Sequence, residues 1–303
     1  MISRLVFSSL GILAAFFAAG PSQAGPVMEQ IARTGVLTAG TSKDAFPYAY
    51  KNKQGDLVGY SIDMMQRISQ ELALELGRPV RLELKALDTD ERIPMLASSK
   101  VSLVCDASSF TWERDRKVDF SVSYGITGTQ LLVPSDSSLS SPESLLGKRV
   151  GVLPRTTSEI AIRKHQPEAI VVLMEDRDSG YQALRSGEVD AFADDGVLLY
   201  SWLARQPKPA LFKVAADAYS KEGIACMLPQ DDSAFQRIVD IALIRYMQGF
   251  LDRQPKETAI FDQWFGPNSA APLTVDLREL SIETMQLMVD LKEEAPATGK
   301  ASQ

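Results

Sequence analysis

The residues best suited to chemistry lie in Val104-Cys-Asp-Ala-Ser-Ser-Phe-Thr-Trp-Glu-Arg114-Asp-Arg-Lys-Val-Asp-Phe120, where a strand-like apolar run gives way to hydroxyls and then to an arginine. That composition suits a carboxylate. A planar guanidinium grips one with two parallel charge-assisted hydrogen bonds, while the Ser109 and Thr111 hydroxyls and free backbone N–H groups serve the remaining lone pairs. The run Glu113 to Lys117 also fits a solvated charged surface, so residue types alone leave both readings open. Two further groups stand out. Thr156-Thr157-Ser158-Glu159 opens a helix whose free N–H groups point at an anion, and Asp194-Asp195 ends an apolar run. Thr156, Thr157 and Asp195 read equally well as helix caps.

Other chemistries find little support. The one histidine, His165, sits between Lys164 and Gln166 on a polar helix and reads as surface decoration. Zinc wants three or four His, Cys or carboxylate ligands, and one distant histidine makes a Ser-His-Asp triad improbable. No Gly-x-Ser-x-Gly elbow, Walker loop or dinucleotide fingerprint occurs, so no catalytic residue, metal or cofactor is expected. A formal net charge of −7 argues against a nucleic-acid partner.

Elements that alternate between strand and helix must position these groups. Gly35 to Gly40 reads as a strand followed by a loop ending in Phe46-Pro47-Tyr48. From Ser61, apolar residues recur at Ile62, Met65, Ile68, Leu72 and Leu76, one face of a helix. Strand Val80 to Leu84, a helix from Arg92 with Pro94 in its first turn, and a strand ending at Cys105 follow. A second unit runs through strands Gln130–Pro134, Leu146–Leu153, Ala169–Leu173 and Asp190–Ala193, with helices Glu159–Lys164 and Ser179–Ser186 between them and Gly196–Trp202 after them. The chain then returns through Glu222–Leu228 to a helix from Ser233 to Leu251. This alternation predicts α/β layers with mostly parallel strands. A terminal amphipathic stretch, Ile282, Met285, Met288 and Leu291, is expected to pack back, with disorder from Glu294 onward.

At the N-terminus, Arg4 precedes an apolar run from Leu5 to Ala19 and a small-x-small site at Ser22 and Ala24, a secretory signal peptide cleaved near Ala24. The run is shorter than the roughly 20 residues that a membrane-spanning helix needs. The expected mature protein is exported and long enough for two domains.

With Gly59-Tyr-Ser-Ile-Asp63, Thr156-Thr157-Ser158-Glu159 and Val189-Asp-Ala-Phe-Ala-Asp-Asp195 beside the Arg114 segment, the chain resembles the periplasmic polar-amino-acid-binding proteins of ABC importers, solute-binding protein family 3. The glutamate/aspartate binders look most similar. The resemblance implies a type II periplasmic-binding-protein fold of two lobes, each a mixed sheet flanked by helices, joined by hinge strands near Tyr124–Thr129 and Ser220–Ala225. The expected division is signal peptide 1–24, lobe 1 from 25–126 and 223–270, lobe 2 from 127–222, and tail 271–303. Cys105 and Cys226 would meet in lobe 1 and bridge in an oxidising compartment, two buried thiols being the other reading.

The resemblance also implies residue roles. Arg114, with Ser109 and Thr111, would hold the ligand α-carboxylate; Asp195, or Asp194 one position earlier, would hold the α-ammonium. Thr156 and Thr157 would close on the carboxylate from lobe 2. Arg92, Thr89 and Arg177 match a clamp for a distal carboxylate. Ser42 stands where the glutamate/aspartate binders carry another arginine, and neighbouring Lys43 restores charge without the bidentate geometry. An acidic amino acid is the expected ligand, a neutral polar amino acid such as glutamine or a dicarboxylate-like compound the alternatives, and a monomer delivering to an inner-membrane ABC permease the expected assembly. Two rivals share the scaffold: an exported dehydratase- or transglycosylase-like enzyme, using Glu159 or Asp176 as its acid, and a periplasmic sensor.

Overall fold

The computed structural model describes residues 25–292 and 295. The signal peptide, its cleavage site and all but Ala295 of the tail expected to be disordered lie outside the described residues. Among the described residues no helix is long and apolar enough to cross a membrane.

The chain folds into two α/β lobes. In lobe 1 the strand Val36–Thr41 lies between Arg81–Ala86 and Leu103–Val104, parallel to both. The return strand Met227–Leu228 adds antiparallel to Leu103–Val104 and to Asp119–Phe120. This sheet packs on the helix Tyr60–Leu76, whose Ile62, Met65, Ile68 and Leu72 are buried as their spacing predicts. Gly59 precedes that helix at φ 145°, where a Cβ would stand 2.1 Å from the Tyr48 carbonyl oxygen. The helix Ser233–Leu251 covers the same core, and Val275–Lys292 packs against it through Met285 and Val289. Leu291, expected on the packed face, is exposed.

In lobe 2 the sheet order is Ile170–Leu173, Arg149–Val152, Ala191–Asp195, Thr129–Pro134, Phe212–Val214. The first three strands are parallel, and the last two extend the sheet antiparallel. Arg149–Val152 starts three residues later than the sequence pattern predicts because Gly147 makes a left-handed turn at φ 65°.

Between the lobes run two antiparallel hinge strands, Gly125–Thr127 and Glu222–Ile224, with Thr127 opposite Glu222. They cross closely at their lobe-2 end, where a Cβ on Gly128 would meet the Ser220 carbonyl oxygen at 2.1 Å. Below the hinge, Cys105 and Cys226 form a disulfide, 121 residues apart in sequence, that ties the third strand of lobe 1 to the returning chain.

Candidate ligand-binding cleft

Arg114 stands on a single helical turn, Trp112–Asp115, whose N-cap is Thr111; the Thr111 hydroxyl accepts from the Arg114 backbone N–H at 3.1 Å. The turn projects the guanidinium toward lobe 2. Its Nη1 donates to the Ser109 carbonyl at 2.8 Å and its Nη2 to the Arg155 carbonyl of lobe 2 at 3.3 Å. Ser109 is itself buried and bridged to the hinge at Ile224. Burial pulls the Arg114 pKa down and nearby Arg92 adds to this, while Asp106, Glu222 and Asp195 oppose it. No carboxylate oxygen lies within 4 Å of Arg114 among the described residues.

Asp195 ends the central strand of lobe 2. It precedes the helix Gly196–Ala204 but makes no capping hydrogen bond, so the capping reading is not realised. The side chain is buried and Oδ1 has no hydrogen-bond partner among the described residues. Burial pushes its carboxyl well above the usual range; Asp194 and Glu222 push further, and Arg177 and Arg114 offset this only in part. Glu222, on the hinge, also leaves a buried oxygen, Oε2, without a partner. An unpartnered buried carboxylate is costly, so these oxygens call for a cationic donor or a proton.

The lobe-2 loop is shaped by caps. Thr156 accepts from the Glu159 N–H at 3.2 Å and donates to the Leu153 carbonyl at 2.7 Å, so Thr157 becomes the first residue of the helix Thr157–His165. Ser158 is buried, its hydroxyl 3.1 Å from that of Thr129. Arg155 adopts φ 61°, an unfavourable conformation for a side-chain-bearing residue, and in doing so turns its carbonyl onto Arg114. Its guanidinium reaches Asp90 of lobe 1 at 2.8 Å.

The two arginines expected to clamp a distal carboxylate are both buried and both already carry carboxylates of the chain. Arg92 Nε stands 2.8 Å from Asp106 Oδ2, a charge pair off the hydrogen-bonding direction. Its Nη1 and Nη2 donate to Ser108 Oγ at 3.2 Å, to Ser42 Oγ at 2.7 Å and to Thr89 Oγ1 at 3.4 Å. Arg177 Nε donates to Asp194 at 2.7 Å within lobe 2, and Nη1 to Asp44 of lobe 1 at 2.9 Å. Burial by itself would lower the Arg177 pKa; Asp194 and Asp44 outweigh it and hold it well above its usual value. In return Arg177 holds the Asp44 carboxyl below the usual range against its own burial. Lys43 points away from this group, to Asp88 at 2.6 Å on the surface.

The structure thus brings Arg114, Ser109, Thr111, Asp195, Thr156, Thr157, Arg92, Thr89, Arg177 and Ser42 to the facing ends of the two lobes and places Lys43 at the rim. A cavity of about 240 Å³ opens between the lobes at Asp44, Thr89, Leu153 and Asp176. Asp106, Asp44 and Glu222 are candidate site residues that the sequence reading passed over. The acids suspected for an enzyme are occupied at helix ends: Glu159 accepts from the Arg155 N–H at 2.7 Å and from Arg163, and Asp176 caps the helix Arg177–Ser186.

Comparison with known proteins agrees with this architecture. The chain is 28% identical over 274 residues to the glutamate/aspartate import solute-binding protein of Salmonella typhimurium, covering 88% of this chain and 89% of the relative. It is 32% identical over 197 residues to the glutamine-binding protein of Geobacillus stearothermophilus, covering 64% and 73%. An ancestral arginine-binding protein bound to glutamine superposes with a TM-score of 0.67 at 30% identity, over 77% of this chain and 98% of that one. The sequence profile described as bacterial extracellular solute-binding proteins, family 3, matches residues 37–267. A match over most of the chain settles membership: the protein belongs to the family 3 bacterial extracellular solute-binding proteins.

Proposed function

We propose that this protein is an exported receptor that closes around a polar α-amino acid and delivers it to an ABC permease in the inner membrane. The observation that carries the reading is the opposition of Arg114 and Asp195 across the cleft. Among the described residues, the first is a cation with no carboxylate upon it, and the second a buried acid with an unpartnered oxygen. An α-carboxylate answers the one and an α-ammonium the other. Ser109, Thr111 and the N–H groups at Thr157 supply donors for the remaining carboxylate lone pairs. Arg114 belongs to lobe 1 and Asp195 to lobe 2, so a zwitterion touching both favours the closed form, the differential affinity that closure requires.

The ligand side chain would run toward Arg92, Thr89, Ser42 and Arg177. The glutamate/aspartate relative supports an acidic side chain; the glutamine-binding relative and the glutamine-bound structure support its amide counterpart. Delivery to a permease and export rest on the family; the monomeric state is an expectation that sedimentation would check. Titration calorimetry of ligand-stripped protein with a panel of L-amino acids tests the reading. Saturable binding that Arg114→Ala abolishes for every ligand is expected; binding untouched by that substitution would remove the proposed carboxylate anchor.

A further inference from the structure

Asp106 lies against Arg92, one of the arginines expected to reach a ligand side chain, with its Oδ2 2.8 Å from Arg92 Nε. It is fully buried, and two serines tie it to Arg92 in a closed ring. Ser42 Oγ donates to Asp106 Oδ2 at 2.9 Å while accepting from Arg92 Nη2 at 2.7 Å. Ser108 Oγ donates to Asp106 Oδ1 while accepting from Arg92 Nη1 at 3.2 Å. Every member belongs to lobe 1, so the ring does not depend on closure. Asp106 is also held by its backbone, because the Tyr124 hydroxyl donates to its carbonyl at 2.7 Å and the preceding residue is the disulfide-bonded Cys105. With the backbone fixed, the carboxylate can swing aside for a ligand only by giving up both serine bonds and Arg92.

Arg177 is matched in the same way. Asp194 of its own lobe neutralises it before closure, and Asp44 adds a second carboxylate on closure. Of Arg92, Arg114 and Arg177, Arg114 alone has no carboxylate of the chain among the described residues, which leaves it as the unmatched cation for one ligand carboxylate. A second carboxylate would be desolvated beside Asp106 and Asp44 with no unmatched partner, a cost that charge burial makes large. An amide meets no such penalty. Its oxygen accepts from the same hydroxyls and guanidinium, and its N–H₂ donates to Asp44, which lines the inter-lobe cavity.

We infer that Asp106 sets the side-chain charge this receptor accepts. The pocket takes an amino acid with an uncharged, amide-bearing side chain in preference to its acidic counterpart. This inference rests on the amino-acid-receptor reading above and refines it.

The test is paired calorimetric titration of ligand-stripped wild-type protein with L-glutamine and L-glutamate. Glutamine is expected to bind at least tenfold tighter at pH 7. The glutamate-to-glutamine affinity ratio should rise as pH falls from 7 to 5, by up to about tenfold per unit, because protonated glutamate is uncharged and its side-chain pKa is about 4.3. The isosteric Asp106→Asn frees Arg92 and should shift that ratio at least tenfold toward glutamate. Tighter glutamate binding by the wild type, or an unshifted ratio in a folded Asp106→Asn, overturns the inference and leaves the receptor reading standing. Should Asp106→Asn fail to fold, the wild-type ratio and its pH dependence still decide. Absence of binding for every L-amino acid overturns both.

Discussion

Arg177 Nη1 stands 2.9 Å from Asp44 Oδ1, setting a lobe-2 guanidinium against a lobe-1 carboxylate at the mouth of the cleft. Arg177 is almost fully buried and Asp44 about a quarter exposed, so the pair is less screened than a surface ion pair. It joins Arg155 with Asp90 and the Arg205 guanidinium over the Phe46 ring, 3.8 Å from its centroid, as direct contacts between lobes. These contacts favour closure before any ligand contributes. Asp44→Ala should therefore lower ligand affinity several-fold and raise the radius of gyration of the unliganded protein. Small-angle scattering of both proteins, with and without ligand, checks this; superimposable unliganded curves would exclude a latch.

Arg92→Ala leaves Asp106 buried without its cation. Breaking a buried pair on one side costs about 3–5 kcal/mol. Denaturant melts should show a loss of that size, whereas Arg114→Ala, which strands no paired carboxylate among the described residues, should cost far less while removing binding. A small stability loss for Arg92→Ala would mean that Asp106 finds water or a proton in its place.

Asp195 gives a pH signature. Its folded-state pKa is raised, so its contribution to stability is fully present below the unfolded value of about 3.9 and is lost as pH rises through the folded value. Asp195→Asn removes that loss. The unliganded variant should melt higher than wild type at pH 7 by several degrees, with the difference shrinking toward pH 4, and should bind amino acids at least 100-fold more weakly. Melting curves of the two proteins from pH 4 to 8 check the sign. Parallel curves would show that Asp195 is charged in the open form.

Gly128 limits the hinge. Because a Cβ there would overlap a backbone carbonyl oxygen, Gly128→Ala must push the hinge strands apart. A stability loss of about 1–3 kcal/mol is expected from overpacking of this kind. Hydrogen exchange at Thr129, whose N–H donates to the Ser220 hydroxyl at 2.9 Å, should accelerate. Unchanged protection at Thr129 would mean that the strands accommodate the methyl group elsewhere.

Much of the framework could be read from the sequence because it depends on local pattern. The helix Ser233–Leu251 has the predicted bounds, with Asp232 capping its start at Phe235. The face Ile62, Met65, Ile68 and Leu72 is buried for the reason its spacing gives. The nine-residue helix Pro26–Thr34, which buries Val27, Met28 and Ile31, carries a helical pattern that the sequence reading passed over. The strands Asp44–Ala45, Ala49–Lys51 and Leu57–Val58 of the three-stranded sheet are too short to carry a period. What the sequence concealed was the pairing of charges. Asp44 and Arg177 are 133 residues apart, and Asp106 follows a cysteine in a segment already noted for Arg114. Nothing local tells a carboxylate which guanidinium it will meet, so two arginines that look available to a ligand are occupied by the fold.

The disulfide has a topological consequence beyond its contribution to stability. Because Cys105 and Cys226 bracket both hinge strands and the lobe-2 sheet, lobe 2 is a loop suspended from a covalent knot in lobe 1. A single protease cut anywhere in that loop leaves two fragments that remain one molecule until the bridge is reduced. A chain cut there still has its two halves joined at the base of lobe 2.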